Sequence, residues 1–258
     1  MKRFIRSLYT IVLAGVVPLV MWRCEMAGSA DVGPGATGVG GSMARFAITD
    51  NTLYIVTHNS LDVYDISSPS APTRKGKAEL GMGIETIFPY QKNLFVGAND
   101  GMYIFDSRQP QSPVLLSKYR HVMSCDPVVV QGSFAYVTLR GGAACRQWNN
   151  MSSLDVVDVS NPANPQLLNT QPLETPYGLG VDGNKLFVCE GEKGLKVFDI
   201  TNPAVPTQTQ FLTNVPSYDV IPNKNTLIVT GKNGLYQYRY DSQTTGTSLE
   251  LLSKIPVE

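Results

Sequence analysis

The chain is poor in the residues that catalytic and metal chemistry mostly draw on. Its 258 residues hold two histidines, His58 and His121, and four cysteines, and only 16% are charged. No G-x-S-x-G, H-E-x-x-H or phosphate-cradling glycine loop occurs, so the signatures of serine hydrolases, zinc proteases and nucleotide-binding loops are absent. The cysteines form no C-x-x-C pair, the spacing a structural zinc site would favour. Lys plus Arg (21) equals Asp plus Glu (21), which leaves no net field to attract nucleic acid or anionic lipid. No window shows the apolar period of an amphipathic helix. The expectation is therefore of no cofactor, no metal and no nucleic-acid partner.

What the chain has in quantity is turn residues, 23 Gly and 17 Pro, as suits many short strands joined by tight turns. The stretch Leu186 to Pro206, LFVCEGEKGLKVFDITNPAVP, reads as a strand, a glycine turn, a second strand and an Asp-x-x-x-Pro-x-x-Pro stop. The same pattern appears from Leu53 as LYIVTHNSLDVYDISSPSAP and from Leu94 as LFVGANDGMYIFDSRQPQSP. It returns as AYVTLR followed, after extra residues, by LDVVDVSNPANP, and in worn form as LIVTGKNGLYQYRYDS. The anchors Leu53, Leu94, Ala135, Leu186 and Leu227 are spaced 41, 41, 51 and 41 residues apart, the long interval reflecting an insertion between Leu139 and Leu154.

A period near 40 with four short apolar runs per copy is the signature of propeller blades. Period-2 patterning with β-branched residues supports strands throughout. We therefore expect an all-β fold, a five-bladed β-propeller with four antiparallel strands (A to D) per blade, over residues 43–258. Asp65, Asp106, Asp158 and Asp199 end strand C of the first four copies, where a short carboxylate can accept N–H bonds from the following turn. The prolines after them (Pro69 and Pro72, Pro110 and Pro113, Pro162 and Pro165, Pro203 and Pro206) are expected to hold the C–D loop extended. In the fifth copy Arg239 fills the aspartate slot and the prolines are gone, which predicts a looser outer edge. Since the chain runs from a strand A to a strand D, ring closure is expected by side-chain packing alone.

Ahead of the repeats, Lys2, Arg3 and Arg6 precede an apolar run from Leu8 to Trp22. This reads as a signal peptide over residues 1–24, since the run is short for the roughly 30 Å of a bilayer core. Cys24 directly after it points to lipidation, although Arg23 stands where a lipoprotein signal has a small residue; plain cleavage and an uncleaved anchor are the alternatives. Residues 25–42, with VGPGATGVGG, read as a glycine-rich tether.

The strings LDVVD (Leu154 to Asp158), LDVYD (Leu61 to Asp65) and LKVFD (Leu195 to Asp199) resemble the LVIVD-repeat proteins, which are secreted or lipid-anchored bacterial proteins predicted to be β-propellers. GIETIFPY (Gly83 to Tyr90), CDPVVV (Cys125 to Val130), YVTLRGG (Tyr136 to Gly142) and PYGLGVD (Pro176 to Asp182) look like segments of envelope proteins of Bacteroidetes-type bacteria. The resemblance covers roughly Gly41 to Ile255. It implies fold and an exported location, in the outer membrane through a lipid anchor, in the periplasm or at the cell surface. It carries no catalytic set.

In a propeller the D–A and B–C loops share one face. Cys125 and Cys145 would both lie there, and an exported chain would oxidise them to a disulfide; Cys189 is the competing partner, with a buried free thiol as its own plainest reading. Nine and eight residues before each anchor stand Ala44–Arg45, Glu85–Thr86, Asp126–Pro127, Tyr177–Gly178 and Tyr218–Asp219. Arg45, Glu85, Asp126, Tyr177, Tyr218 and Asp219 should thus converge on the channel mouth, with Trp148 of the insertion above them. This is either a binding mouth for a cation, a sugar or a polar peptide end, with a protein or glycan of the envelope as the partner, or a solvated funnel whose charges satisfy one another. A carboxylate pair among Glu85, Asp126 and Asp219 would suit a glycan-processing enzyme, on fold analogy alone. A purely structural envelope protein is the third reading.

Overall fold

The computed structural model describes residues 41–120, 127–142, 151–244 and 249–257, and every regular element among them is a strand. No helix among these residues is long and apolar enough to cross a membrane. Twenty strands form five antiparallel sheets of four, each in simple chain order. The first blade comprises β1 (Phe46–Thr49), β2 (Thr52–Val56), β3 (Ser60–Asp65) and β4 (Thr73–Glu79); the second, β5 (Ile84–Tyr90), β6 (Asn93–Ala98), β7 (Gly101–Asp106) and β8 (Val114–Tyr119). The third comprises β9 (Val128–Gln131), β10 (Phe134–Leu139), β11 (Ser152–Asp158) and β12 (Gln166–Leu173). The fourth is built from β13 (Leu179–Asp182), β14 (Lys185–Cys189), β15 (Leu195–Asp199) and β16 (Thr207–Leu212), and the fifth from β17 (Asp219–Asn223), β18 (Thr226–Gly231), β19 (Gly234–Arg239) and β20 (Glu250–Ile255).

The punctuation works as local chemistry. Asp65, Asp106, Asp158 and Asp199 each accept a bond from the N–H two residues on, at 2.8–2.9 Å. The aspartate missing from the fifth copy is replaced two residues later, where Asp241 accepts from Gln243 N–H at 2.9 Å. The prolines do not hold an extended loop. Pro69, Pro110, Pro162 and Pro203 each occupy the second position of a tight turn, closed by N–H bonds from Ala71 to Ser68, Ser112 to Gln109, Asn164 to Asn161 and Val205 to Asn202. The fixed φ of proline matches that position, so the same residue that stops strand C also reverses the chain. Each outer strand then carries one extra residue opposite strand C, at the register shifts by Val63/Tyr64, Ile104/Phe105, Val156/Val157, Val197/Phe198 and Gln237/Tyr238. Such bulges twist the exposed edge away from flat pairing.

Four apolar clusters hold the blades together, joining the first to the second, second to third, third to fourth and fourth to fifth. Polar bonds cross the first three of these interfaces to the proline turn of the next blade: Tyr54 Oη donates to Pro110 O at 2.8 Å, Ser117 Oγ to Pro162 O at 2.6 Å and Tyr136 Oη to Pro203 O at 3.2 Å. Lacking that turn, the fifth blade offers Tyr240, which packs edge-on against Phe187 and donates to Asp182. Among the described residues no cluster joins the fifth blade to the first, and Phe46 and Ile48 of β1 are exposed. The side-chain closure expected of the ring is not formed among the described residues. Among the described residues the two ends meet through the turn Gly41–Ala44: Ser42 Oγ accepts from Leu179 N–H at 2.7 Å and donates to Asp219 at 3.5 Å.

Tyr136→Phe is expected to lower stability by about 1 kcal/mol, because the Pro203 carbonyl loses its partner. Leu179→Ala, which empties a fully buried site, should cost about 2–5 kcal/mol; denaturant midpoints of the two variants give both values.

Candidate functional site

Backbone bonds bring the D–A and B–C loops to one face: Ile84 N–H donates to His58 O at 3.0 Å, Asn99 N–H to Gly83 O at 3.0 Å and Tyr177 N–H to Cys189 O at 2.8 Å. On that face Gly178 N–H donates to Tyr218 O at 2.9 Å, which sets Tyr177 and Tyr218 edge to face with ring centroids 5.2 Å apart. The Arg140 guanidinium lies 4.1 Å over the Tyr177 ring. Tyr218 Oη donates to Glu192 at 3.0 Å, and Glu192 pairs with Lys232 at 3.2 Å. The result is a row of alternating cation, rings and carboxylate across the third, fourth and fifth blades. Within it the Lys232 and Tyr218 bonds hold the Glu192 carboxyl below its usual range, and the bond to Glu192 raises the Tyr218 phenol.

Arg45 Nη2 donates to Ile84 O at 2.8 Å, from the first blade to the second. Glu85 stands at the irregularity between Ile84 and Thr86, where β5 slips its register against β6. Burial raises its pKa, and Arg140, Arg45 and His58 act against that rise. Two basic side chains of the first blade and one of the third thus act on one carboxyl of the second.

Asp219 does not face the mouth as an open ligand group. It accepts the Ser42 hydroxyl and its neighbour Val220 N–H at 3.0 Å, and a Cβ on either Gly41 or Gly178 would overlap its carboxylate. Glycine at both positions lets two chain segments close over it, and the resulting burial pushes its pKa up to about 6. Gly41 and Ser42, which the sequence pattern leaves in the tether, are themselves buried. Cys189 is a buried free thiol whose pKa burial raises. Asp126, Trp148, Cys125, Cys145 and Cys24 lie outside the described residues, as do residues 1–40. Among the described residues no group of three or more His, Cys, Asp and Glu side chains could hold a metal.

One element escapes any motif. Glu190, fully buried, pairs with Lys196 at 2.7 Å and accepts the N–H groups of Glu174 at 3.2 Å and Thr175 at 2.6 Å. Lys196 Nζ also sits 5.2 Å from the Phe211 ring. This pair fastens the segment that leads into Tyr177, so it positions the aromatic row. Its trace in the sequence is a Glu and a Lys flanking the turn Gly191–Gly194, indistinguishable by pattern from a solvated pair.

Five four-stranded sheets in sequential order, packed face on face and joined across one loop-bearing mouth, define a β-propeller. Residues 40–79, 124–170 and 178–211 match the LVIVD repeat, so three segments of the chain carry that repeat. No curated protein matches it. Among solved structures it is similar to a periplasmic gluconolactonase of Pseudomonas aeruginosa (TM-score 0.62, 13% identity, 80% of this chain and 68% of that one). A Lactobacillus plantarum protein is likewise similar (TM-score 0.63, 15% identity, 80% and 69%), as is the computationally designed Ika8 protein (TM-score 0.59, 13% identity, 81% and 60%). At such identities the likeness is one of fold, and the chain spans between 60% and 69% of the length of these proteins.

The folded pKa of Asp219 lies above the value of about 3.9 for an unfolded aspartate. The native state therefore holds the proton more tightly. The stability this confers is complete below about pH 4 and is lost as pH rises through about 6, in total on the order of 3 kcal/mol. Asp219→Asn should flatten that part of the curve of melting temperature against pH. Glu190→Gln, which strands the Lys196 charge, should cost about 3–5 kcal/mol, whereas the double change Glu190→Leu, Lys196→Met should cost less; chemical denaturation of both variants makes the comparison.

Proposed function

We propose that this LVIVD-repeat propeller is a non-catalytic binding scaffold of the cell envelope, exported and held in the outer membrane through Cys24, in the periplasm or at the cell surface. Its mouth face takes a glycan or a protein surface. The observation that carries this reading is the row Arg140–Tyr177–Tyr218, with both rings only partly buried. Tyrosine and arginine supply large contact area and directed hydrogen bonds at little conformational cost, which is why they dominate interface hot spots. Loops on a rigid scaffold are where such groups act, and the Glu190–Lys196 pair fixes the loop bearing Tyr177 before any partner arrives.

A glycan-processing enzyme is the second reading. It is favoured by Glu85, whose burial-raised pKa suits a general acid. The arrangement supports it less, because Glu85 answers to Arg140, Arg45 and His58 while Asp219 is enclosed by Gly41, Ser42 and Gly178.

Binding of the full chain to arrayed glycans and to envelope proteins separates the readings. Tyr177→Ala and Arg140→Ala should each weaken binding about tenfold or more, near 1.4 kcal/mol, and Glu85→Gln should leave it in place. Glycan turnover that disappears in Glu85→Gln would establish the enzyme instead, and no ligand in either format would leave a structural role.

A further inference from the structure

The repeat allows each blade face to be compared with its counterparts. Seven residues before the anchors stand Phe46, Ile87, Val128, Leu179 and Val220. The last four are at most 1% exposed, packed on the preceding blade, while Phe46 is 60% exposed. The anchors repeat the contrast, with Leu94, Ala135, Leu186 and Leu227 fully buried and Leu53 only partly so. At the other end of the arc, Tyr54, Phe95, Tyr136 and Phe187 are buried against the following blade, whereas their counterpart Ile228 is partly exposed beside Ile221 and Leu235. The first blade thus shows an apolar face of Phe46, Ile48, Leu53, Ile55 and Tyr64. That face is bordered by the polar network of Ser60, Asp62 and Arg74. An apolar centre with a polar border is how a protein interface is made.

We propose that these two end faces bind a second copy of this chain, the fifth blade of one copy seating on the first blade of the other. The occupant follows from the four formed interfaces. In each, the strand-A residue at the Phe46 position and the strand-B residue at the Ile228 position of the preceding blade share one cluster: Ile87 with Tyr54, Val128 with Phe95, Leu179 with Tyr136 and Val220 with Phe187. The surface that matches the open face of the first blade is therefore a face of the fifth-blade type, and this chain carries one of each. Two copies that exchange both contacts form a closed pair, whereas a one-sided contact would propagate into a filament.

Sedimentation velocity of the full chain over a wide concentration range tests the contact. The wild type should associate into a dimer that dissociates on dilution. Phe46→Glu and Ile228→Lys should each shift it to monomer at every concentration, with a melting temperature equal to the wild type's at dilutions where the wild type is itself monomeric. Combining the two in one chain should restore association, because opposite charges then meet at the repeat-equivalent pair. A wild type that stays monomeric overturns the proposal, and a lowered melting temperature for Phe46→Glu in that case would show the ring closing on itself. Association that survives in either single variant overturns it as well, by placing the contact elsewhere.

Discussion

A four-stranded sheet of about 40 residues has two apolar faces and no means of burying either by itself. Everything else in this protein answers to that constraint. Each blade lends one face to the blade before it and one to the blade after, so the apolar core is divided into four clusters, each lying between two neighbouring blades. Among the described residues the two faces at the ends of the series meet no such neighbour, and Phe46 and Ile48 are exposed.

Polar chemistry then decides how the blades are held in register. The aspartate after strand C bonds the turn, the first proline reverses the chain, and the carbonyl exposed by that reversal becomes the acceptor for a hydroxyl of the preceding blade. One short motif thus ends a strand, makes a turn and links two sheets. Where the motif is lost, in the fifth blade, Tyr240 and Asp241 supply the link and the turn by other means.

The mouth follows a different logic. Its side chains come from the loops and strand ends of all five blades, and apart from Tyr177 and Tyr218, one repeat apart, they have no fixed spacing to their partners. Arg140 meets Tyr177 and Tyr218 meets Glu192 where Gly178 and Glu190 set the local backbone. Charge is placed there in pairs and rows.

The sequence by itself determined the blades. The 41-residue period, the strand patterning and the role of Asp65, Asp106, Asp158 and Asp199 in their turns were all legible, because each rests on residues close together in the chain. The convergence of Tyr177 with Tyr218 was legible too, since the repeat carries position from blade to blade. Only the tertiary structure decided the rest. It showed that Pro69 and its counterparts sit in tight turns and that Asp219 is enclosed beneath Gly41 and Gly178. It revealed that Glu190 and Lys196 are a buried pair and that the fifth and first blades leave their faces apart. These outcomes depend on distances between segments far apart in sequence and on the angle that four packed interfaces accumulate, and neither is written in any local pattern of residues.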